Sequence, residues 1–513
     1  MPILNNNFHK LTDTLADILL TAINARYIHA AFGLRYLYAN LDHLQAITEL
    51  QEFTIHQRPV DIAEQLLQKN ARIICFGVYI WNVEEVSETV ALIKQISPNT
   101  IIILGGPEVS HYPDHPDVVE IADYVVQGAG EINFRKLCEQ LLLNQIPQKK
   151  ITEGEVVPLE KLKLPYAYYT DEDIRNRMIY VEASRGCPFK CEFCLSALDK
   201  TSKPFELGKF LEEIDKLHQR GARNFKFIDR TFNLKTSTSV AIMEFFLERM
   251  SDDLYLHFEV VPDNLPDKLK DTIKKFPKHS LQFEIGIQTF DPEIQELISR
   301  KQDNKKSGEN LLWLREQSQA YIHADLIFGL PGDTLENFAQ SFDQLITFKP
   351  HEIQLGILKR LRGAPINRHT ETYQLKYNTK APYNILSTRD IDFNTMQAVN
   401  RFARYWDMIG NSGRFKNTLP IILGKTPFNN FYQLSDSLYK HAGSTWKISQ
   451  KRLFTLLHNI LITEMEIAED SVNDALKKDY ENSGEKASFE KVIAPQIKES
   501  KTGVANKRQS KRA

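Results

Sequence analysis

Two series of short apolar runs alternating with amphipathic stretches constrain what this 513-residue chain can fold into. In the first, strand candidates at Asp17–Ala22, Arg72–Ile80, Thr100–Leu104 and Asp123–Val126, with a weaker one at Glu52–His56, are separated by helical patterns near Gly33–Leu44, Val60–Gln68, Val83–Ile96 and Ile132–Leu143. Helices between successive strands are the crossovers a parallel sheet needs, so residues 16–145, after an extension at 1–15, are expected to form a doubly wound, Rossmann- or flavodoxin-like α/β domain. Residues 146–176 are polar, carry Pro147, Pro158 and Pro165 and show no sustained period, which reads as a linker. The alternation then restarts, with strand candidates at Met178–Ala183, Asn224–Ile228, Tyr255–Val260, Leu281–Ile287, Tyr321–Phe328 and Glu352–Ile357. Six βα units over 177–357 match a partial (β/α)6, TIM-like barrel, whose chemistry belongs at the carboxyl ends of the strands. Residues 358–467 turn mostly helical, and 468–513 are charged and poor in aromatics, which reads as a disordered tail.

Charge narrows the function classes. The chain carries 64 Lys+Arg against 66 Asp+Glu, a net −2 that argues against a generally basic nucleic-acid binder. The last sixteen residues hold six Lys/Arg and one Glu, so a tail of +5 is attached to a body of −7. Such a tail can touch RNA or an anionic surface, or simply be a solvated end. No run approaches the ~18 apolar residues of a membrane span. The apolar stretch Ile18–Ile23 follows Asp13 and Asp17 rather than a basic region, which is not the pattern of a secretory signal. Five cysteines in so long a chain make no disulfide framework, and the expectation is a reducing, cytoplasmic setting.

Their placement is more telling. Cys75 and Cys138 stand alone and are expected to be buried small hydrophobes. Cys187, Cys191 and Cys194 fall in Ser184-Arg185-Gly186-Cys187-Pro188-Phe189-Lys190-Cys191-Glu192-Phe193-Cys194, directly after the first barrel strand. Thiolates select zinc, copper(I) or iron–sulfur clusters. A structural zinc site wants four ligands, and no fourth Cys is near. Iron–sulfur cubanes normally take four Cys, so three on one loop leave an iron that a small molecule can chelate.

The C-x3-C-x2-C spacing with Phe193 before the last Cys, after strand one of a partial barrel, resembles the radical S-adenosylmethionine (SAM) superfamily. The resemblance implies a [4Fe-4S] cluster on Cys187, Cys191 and Cys194, with SAM on the fourth iron and Phe193 against its adenine. It implies SAM-contacting roles for other barrel-end residues. Asp229 stands in Phe227-Ile228-Asp229-Arg230 where a Gly-Gly-Glu-like motif is usual. Glu259 ends strand three, and Gln288 on strand four is the ribose candidate. Gly329, in Asp325-Leu326-Ile327-Phe328-Gly329-Leu330-Pro331-Gly332, would let the backbone approach the adenine.

The first domain resembles the cobalamin-binding domain of the cobalamin-dependent radical SAM group. Three segments carry the likeness: Gly77-Val78-Tyr79-Ile80-Trp81-Asn82, Leu104-Gly105-Gly106-Pro107 and Gln127-Gly128-Ala129-Gly130-Glu131. Tyr79, Gly105, Gly106, Gln127, Gly128 and Gly130 are the implied cofactor contacts, although such glycines also make plain tight turns. The cobalt-binding His of the Asp-x-His-x-x-Gly type is missing. Its place holds Arg26, and His29 lies three residues on. Tyr79, Trp81 and Tyr112 can shield a corrin face or pack in the core.

The implied activity is methylation of an unactivated carbon through a 5′-deoxyadenosyl radical and methylcobalamin, with the N-terminal domain packed on the barrel mouth. The substrate, a small molecule or peptide, is not legible, and a flavodoxin or ferredoxin is the expected reductant. Neither a membrane nor nucleic acid is an expected partner. The alternatives are radical cyclisation or rearrangement without methyl transfer, an N-terminal domain that binds nothing, and a non-catalytic iron–sulfur or RNA-binding protein. The run Lys359-Arg360-Leu361-Arg362 meets either an anionic substrate or nearby acids.

Overall fold

The first apolar series becomes an all-parallel sheet. In the computed structural model, which describes residues 16–484 and 488–493, its strands are β1 (Ile18–Asn24), β2 (Thr48–Thr54), β3 (Ile73–Gly77), β4 (Ile101–Gly105), β5 (Tyr124–Gln127) and β6 (Ile151–Glu153). Their order is β2-β1-β3-β4-β5-β6, the doubly wound flavodoxin-like arrangement with one strand added. β1 is buried along nearly its whole length, as a central parallel strand covered on both faces must be. One apolar layer holds Leu19, Ile74, Ile102 and Val90, the other Leu20, Ile103, Phe134 and both lone cysteines, Cys75 and Cys138. The topological switch falls between β1 and β3, so the ligand crevice lies at their carboxyl ends.

The second series forms another parallel sheet: β7 (Ile179–Val181), β10 (Asn224–Phe227), β11 (Tyr255–Val260), β12 (Leu281–Gln288), β13 (Tyr321–Phe328) and β14 (Glu352–Ile357), hydrogen-bonded in chain order. Between β7 and β10 a two-residue antiparallel pair, β8 (Ser184–Arg185) and β9 (Lys203–Pro204), brackets the cysteine loop. In β12 and β13 every second residue is buried, placing Phe283, Ile285, Ile322 and Ala324 against the helices and Glu284, Gln288, His323 and Asp325 on the other face.

Several expectations change. The 146–176 segment is no loose tether: Tyr166 and Tyr169 are fully buried, and Arg177 with Asp173 joins Arg35 and Glu52 in a buried ion network. Residues 358–392 hold no α-helix, only a short 3-10 helix at Pro365–His369. They form a strap of turns with an antiparallel pair, β15 (Lys376–Tyr377) and β16 (Ile385–Ser387). Compact units divide at Gln397/Ala398.

The second unit is helical, with Phe402 packed on Phe428 and Phe454 on Tyr480. The disordered-tail expectation for 468–513 fails in its first part, because Glu469–Asn482 is a helix. Val472, Ala475, Leu476 and Tyr480 form its buried stripe. A charged average composition conceals a stripe at helical spacing. The basic end at 498–513 and the extension at 1–15 lie outside the described residues. No helix among the described residues is long and apolar enough to cross a membrane.

Candidate functional site

The cysteine loop is held from below and from the side. Asp229 accepts from the Ala183 amide at 2.9 Å and from the Ser184 hydroxyl at 2.5 Å, fixing the exit of β7. Gly186 follows at φ +88°, where a Cβ would stand 2.2 Å from the Thr201 carbonyl, so only glycine lets the hairpin close. The Cys187 amide donates to the Asp199 carbonyl at 3.0 Å. On the far side Glu192 accepts from Ser299 Oγ at 2.6 Å, from Arg368 at 2.6 and 2.8 Å, and lies 3.0 Å from His369 Nε2.

Between these anchors Cys187, Cys191 and Cys194 face one cavity of about 220 Å³ at the carboxyl ends of the barrel strands. Phe193, Glu259 and Gln288 line it too, so five of these predicted contacts join the loop's third cysteine in one place. Arg230, Glu284, Arg300 and Asp325 line it as well and were not among the expected residues. The strand alternation that puts Glu284 on the face of Gln288 was the available signal for one of them. Arg300 Nη1 donates to Cys191 Sγ at 3.6 Å and Nη2 to the Gly286 carbonyl. Burial pushes the Cys191 thiol up, and Arg300 opposes that. Arg230 pairs with Glu259 at 2.9 Å.

Two expected contacts are elsewhere. Asp229 shares the parity of Phe225 and Phe227, which are fully buried, so its carboxylate turns behind the strand and braces the loop instead of lining the cavity. Burial pushes it up to about 7. Gly329 sits at φ +88° with Ile385 and Met396 beside it and donates its amide to Asp333; it does not line the cavity either.

A second, larger cavity of about 860 Å³ opens at the carboxyl ends of β1, β3, β4 and β5. Tyr79, Gly105, Gly106, Gly128 and Gly130 line it, whereas Gln127 turns away and donates to the Val109 carbonyl. Its wall is mostly small and apolar, with Tyr79 and Trp81 stacked at 4.4 Å and 10°. His29 reaches it, but Nδ1 is 2.7 Å from the Tyr180 hydroxyl, and burial with Arg26 lowers the imidazole's proton affinity. Tyr112 instead stacks on His115, outside the lining.

Tyr180, Glu182, Arg185, Leu195, Leu198 and Ile228 bring the barrel's cysteine end into the same lining, as the expected packing of the first domain on the barrel mouth requires. Arg185 bridges Glu131 at 2.6 Å and Glu182 at 2.8 Å. The open question of Lys359–Arg362 is answered for its arginines: Arg360 pairs with Asp114 at 2.8 Å and Arg362 with Glu108 at 2.8 Å, on the loop after β4.

The residues present fit the implied groups. Three thiols beside two guanidiniums match an anionic thiolate-ligated cluster. The buried Gln288 Oε1 has no hydrogen-bond partner among the described residues and offers an acceptor to a hydroxyl of a bound ligand. Gly128, at φ +67° with nothing within 4 Å of a Cβ, leaves room for a large flat ligand over the turn.

Comparison with known proteins agrees. Family models for the radical SAM superfamily and the B12 binding domain match residues 181–345 and 18–137, and one described as a protein of unknown function (DUF4080) matches 371–513. The chain is similar to the cobalamin-dependent radical SAM methyltransferase TokK of Streptomyces tokunonensis, 24% identical over 396 residues covering 68% of this chain. It spans 56% of that relative's length. Its fold is similar to the cobalamin-dependent SAM radical enzyme OxsB with aqua-cobalamin bound (TM-score 0.60, 14% identity, 91% of this chain and 84% of that one). It is also similar to TsrM from Kitasatospora setae with cobalamin and a [4Fe-4S] cluster bound (TM-score 0.55, 17% identity, 71% and 81%). With its cysteine loop at the mouth of one parallel sheet and a flavodoxin-like domain over it, the chain carries a B12 binding domain and a radical SAM domain and resembles the radical SAM proteins that combine the two, which implies a [4Fe-4S] cluster, SAM and cobalamin as its cofactors.

Proposed function

We propose that this protein is a cobalamin-dependent radical SAM enzyme that methylates an unactivated carbon. The observation carrying the reading is the shared wall: Leu195 and Leu198, just after the cluster cysteines, line the cavity that the first domain's strand ends enclose. On this reading a substrate carbon at that wall would meet both cofactors. When bound, the reduced cluster and SAM supply a hydrogen-abstracting radical and cobalamin supplies a methyl group.

The chain's own residues bind, orient and shield. Cys187, Cys191 and Cys194 ligate the cluster, and Arg300 hydrogen-bonds one of the sulfurs, a contact that tunes cluster potential. Gln288 presents its unpaired oxygen to the SAM ribose, and Glu259, held by Arg230, sets the charge of the rim. The stacked Tyr79 and Trp81 would help to hold cobalamin in the large cavity, and His29, engaged by Tyr180, serves there as part of the wall. Apolar side chains keep the shared space dry, which protects a radical from quenching. This reading goes with a reducing, cytoplasmic setting and with a flavodoxin or ferredoxin as the reductant.

The test is anaerobic reconstitution with iron, sulfide, cobalamin, SAM and reductant. The expected products are 5′-deoxyadenosine together with S-adenosylhomocysteine, the latter only when cobalamin is present. 5′-Deoxyadenosine without S-adenosylhomocysteine would refute methyl transfer and leave radical rearrangement. No SAM consumption by cluster-loaded protein would refute both.

A further inference from the structure

The near-neutral charge of the whole chain hides a strong asymmetry in the second unit. Residues 398–452 hold nine Lys/Arg against two Asp, a local +7, while 453–484 hold seven Asp/Glu against two Lys. The fold gathers part of that charge with two exposed aromatics. Arg401 on helix Phe393–Ile409 lies over the Tyr439 ring at 4.6 Å, and Arg404, one turn on, over the Trp446 ring at 4.0 Å. Trp446 is 61% exposed and Tyr439 39%. The patch is continuous through the end of helix Pro427–Ala442 and the following turn: Arg452 donates to the His441 and Ala442 carbonyls, and the Tyr405 hydroxyl to the Ser444 carbonyl. Lys440, Lys447 and Arg452 are exposed around it. Asp436, 3.7 Å from Arg401, is an acid of the face, exposed Asp407 follows Arg404 by three residues on the same helix, and Glu464 flanks the face at His441.

We propose that this face is a docking surface for single-stranded RNA. Guanidinium-capped rings give planar platforms on which unpaired bases stack, and the surrounding cations meet the phosphates. A membrane surface is the weaker match. Interfacial binding inserts aliphatic and aromatic side chains from one apolar face, whereas Tyr439 and Trp446 are the only exposed large hydrophobics among the described residues of this unit. An acidic peptide would satisfy the charge but leave the platforms without a use. Unpaired bases are a standing feature of RNA loops, which makes RNA the natural occupant of such platforms. The inference is independent of the radical chemistry.

The experiment measures fluorescence anisotropy of labelled 12-nucleotide oligo-U with the full chain. The expected Kd is about 1–10 μM at 150 mM salt, with a log–log salt slope of about −3 for four phosphate contacts. Trp446→Ala and Arg404→Glu each weaken binding about tenfold. Lys440→Glu with Lys447→Glu, at exposed positions where folding is undisturbed, reduces the slope by about 0.7 per lost contact. Lys477→Glu, on the acidic part, changes nothing. The proposal is overturned if the chain binds no RNA below about 100 μM. It is equally overturned if these variants, shown folded by circular dichroism, bind as the unaltered chain does, since binding would then reside in the basic terminal segment. Tighter binding of oligo-dT, of a poly-glutamate peptide or of phosphatidylglycerol vesicles than of RNA also overturns it.

Discussion

Arg185 Nη1 donates to Glu131 Oε1 at 2.6 Å and Nε to Glu182 Oε1 at 2.8 Å, so one guanidinium, two residues before the first cluster cysteine, ties the flavodoxin-like domain to the barrel. The same guanidinium lies 4.4 Å from the Tyr36 ring. Both carboxylates are buried, and Arg185→Met leaves two of them without their cation. The variant is expected to lose about 3 kcal/mol in urea unfolding. Adding Glu131→Gln removes one stranded charge and should restore part of the loss. Equal stability of Arg185→Met and the unaltered chain would show that the bridge does not hold the domains.

Glu192 is a second anchor of the cluster loop. Burial alone would raise its carboxyl, but Arg368, Ser299 and His369 hold it below the ordinary range. A depressed carboxylate contributes stability above its unfolded value, and that contribution is lost as pH falls through the folded value, below about 4.5. At pH 7.5 Glu192→Gln keeps the shape and loses the charge, which should cost about 2 kcal/mol. Thermal melts and iron retained per chain after gel filtration check this. Unchanged iron content and Tm would leave Glu192 without an anchoring role.

Two glycines separate folding from cofactor binding. At Gly106, φ +106°, a Cβ would stand 2.5 Å from the Val78 carbonyl oxygen, so Gly106→Ala is expected to destabilise the fold by about 3 kcal/mol. At Gly128, φ +67°, a Cβ meets nothing, so Gly128→Ala should cost only about 1 kcal/mol of stability. Its methyl group nevertheless enters the large cavity, and cobalamin retained after desalting should fall about tenfold, since one misplaced methyl group costs about 1–3 kcal/mol in overpacking. Full cobalamin retention by Gly128→Ala would place the cofactor away from this turn.

Period and parity explain what was legible. Tyr255–Val260, Tyr321–Phe328 and Glu352–Ile357 are strands over the very residues their patterns mark, because side-chain alternation is a local property. The three cysteines needed only spacing to share a loop. Pairings across the chain leave no local trace: Arg362 meets Glu108 across 254 residues and Arg368 meets Glu192 across 176. The helix Glu469–Asn482 was legible in principle, since Val472, Leu476 and Tyr480 recur at four-residue spacing, but charge composition masked them. Asp229 is the instructive case. Strand parity already turns it away from the cavity, and motif position alone pointed toward it.

That carboxyl also carries a pH signature. Burial pushes Asp229 up to about 7 even though Ser184 and Ala183 donate to it. A carboxyl whose folded value lies above its unfolded 3.8 stabilises the protein fully below about pH 4, and the contribution is lost as pH rises through about 7. Across that window the loss approaches about 1.4 kcal/mol per pH unit. Asp229→Asn cannot titrate. It also has one acceptor oxygen for two donors, which lowers stability by a constant amount at every pH. Urea unfolding at pH 5, 6, 7 and 8 should therefore give converging curves, with the variant furthest below the unaltered chain at pH 5 and nearest at pH 8. Parallel curves would mean that Asp229 is ionised throughout, with the two donors outweighing burial.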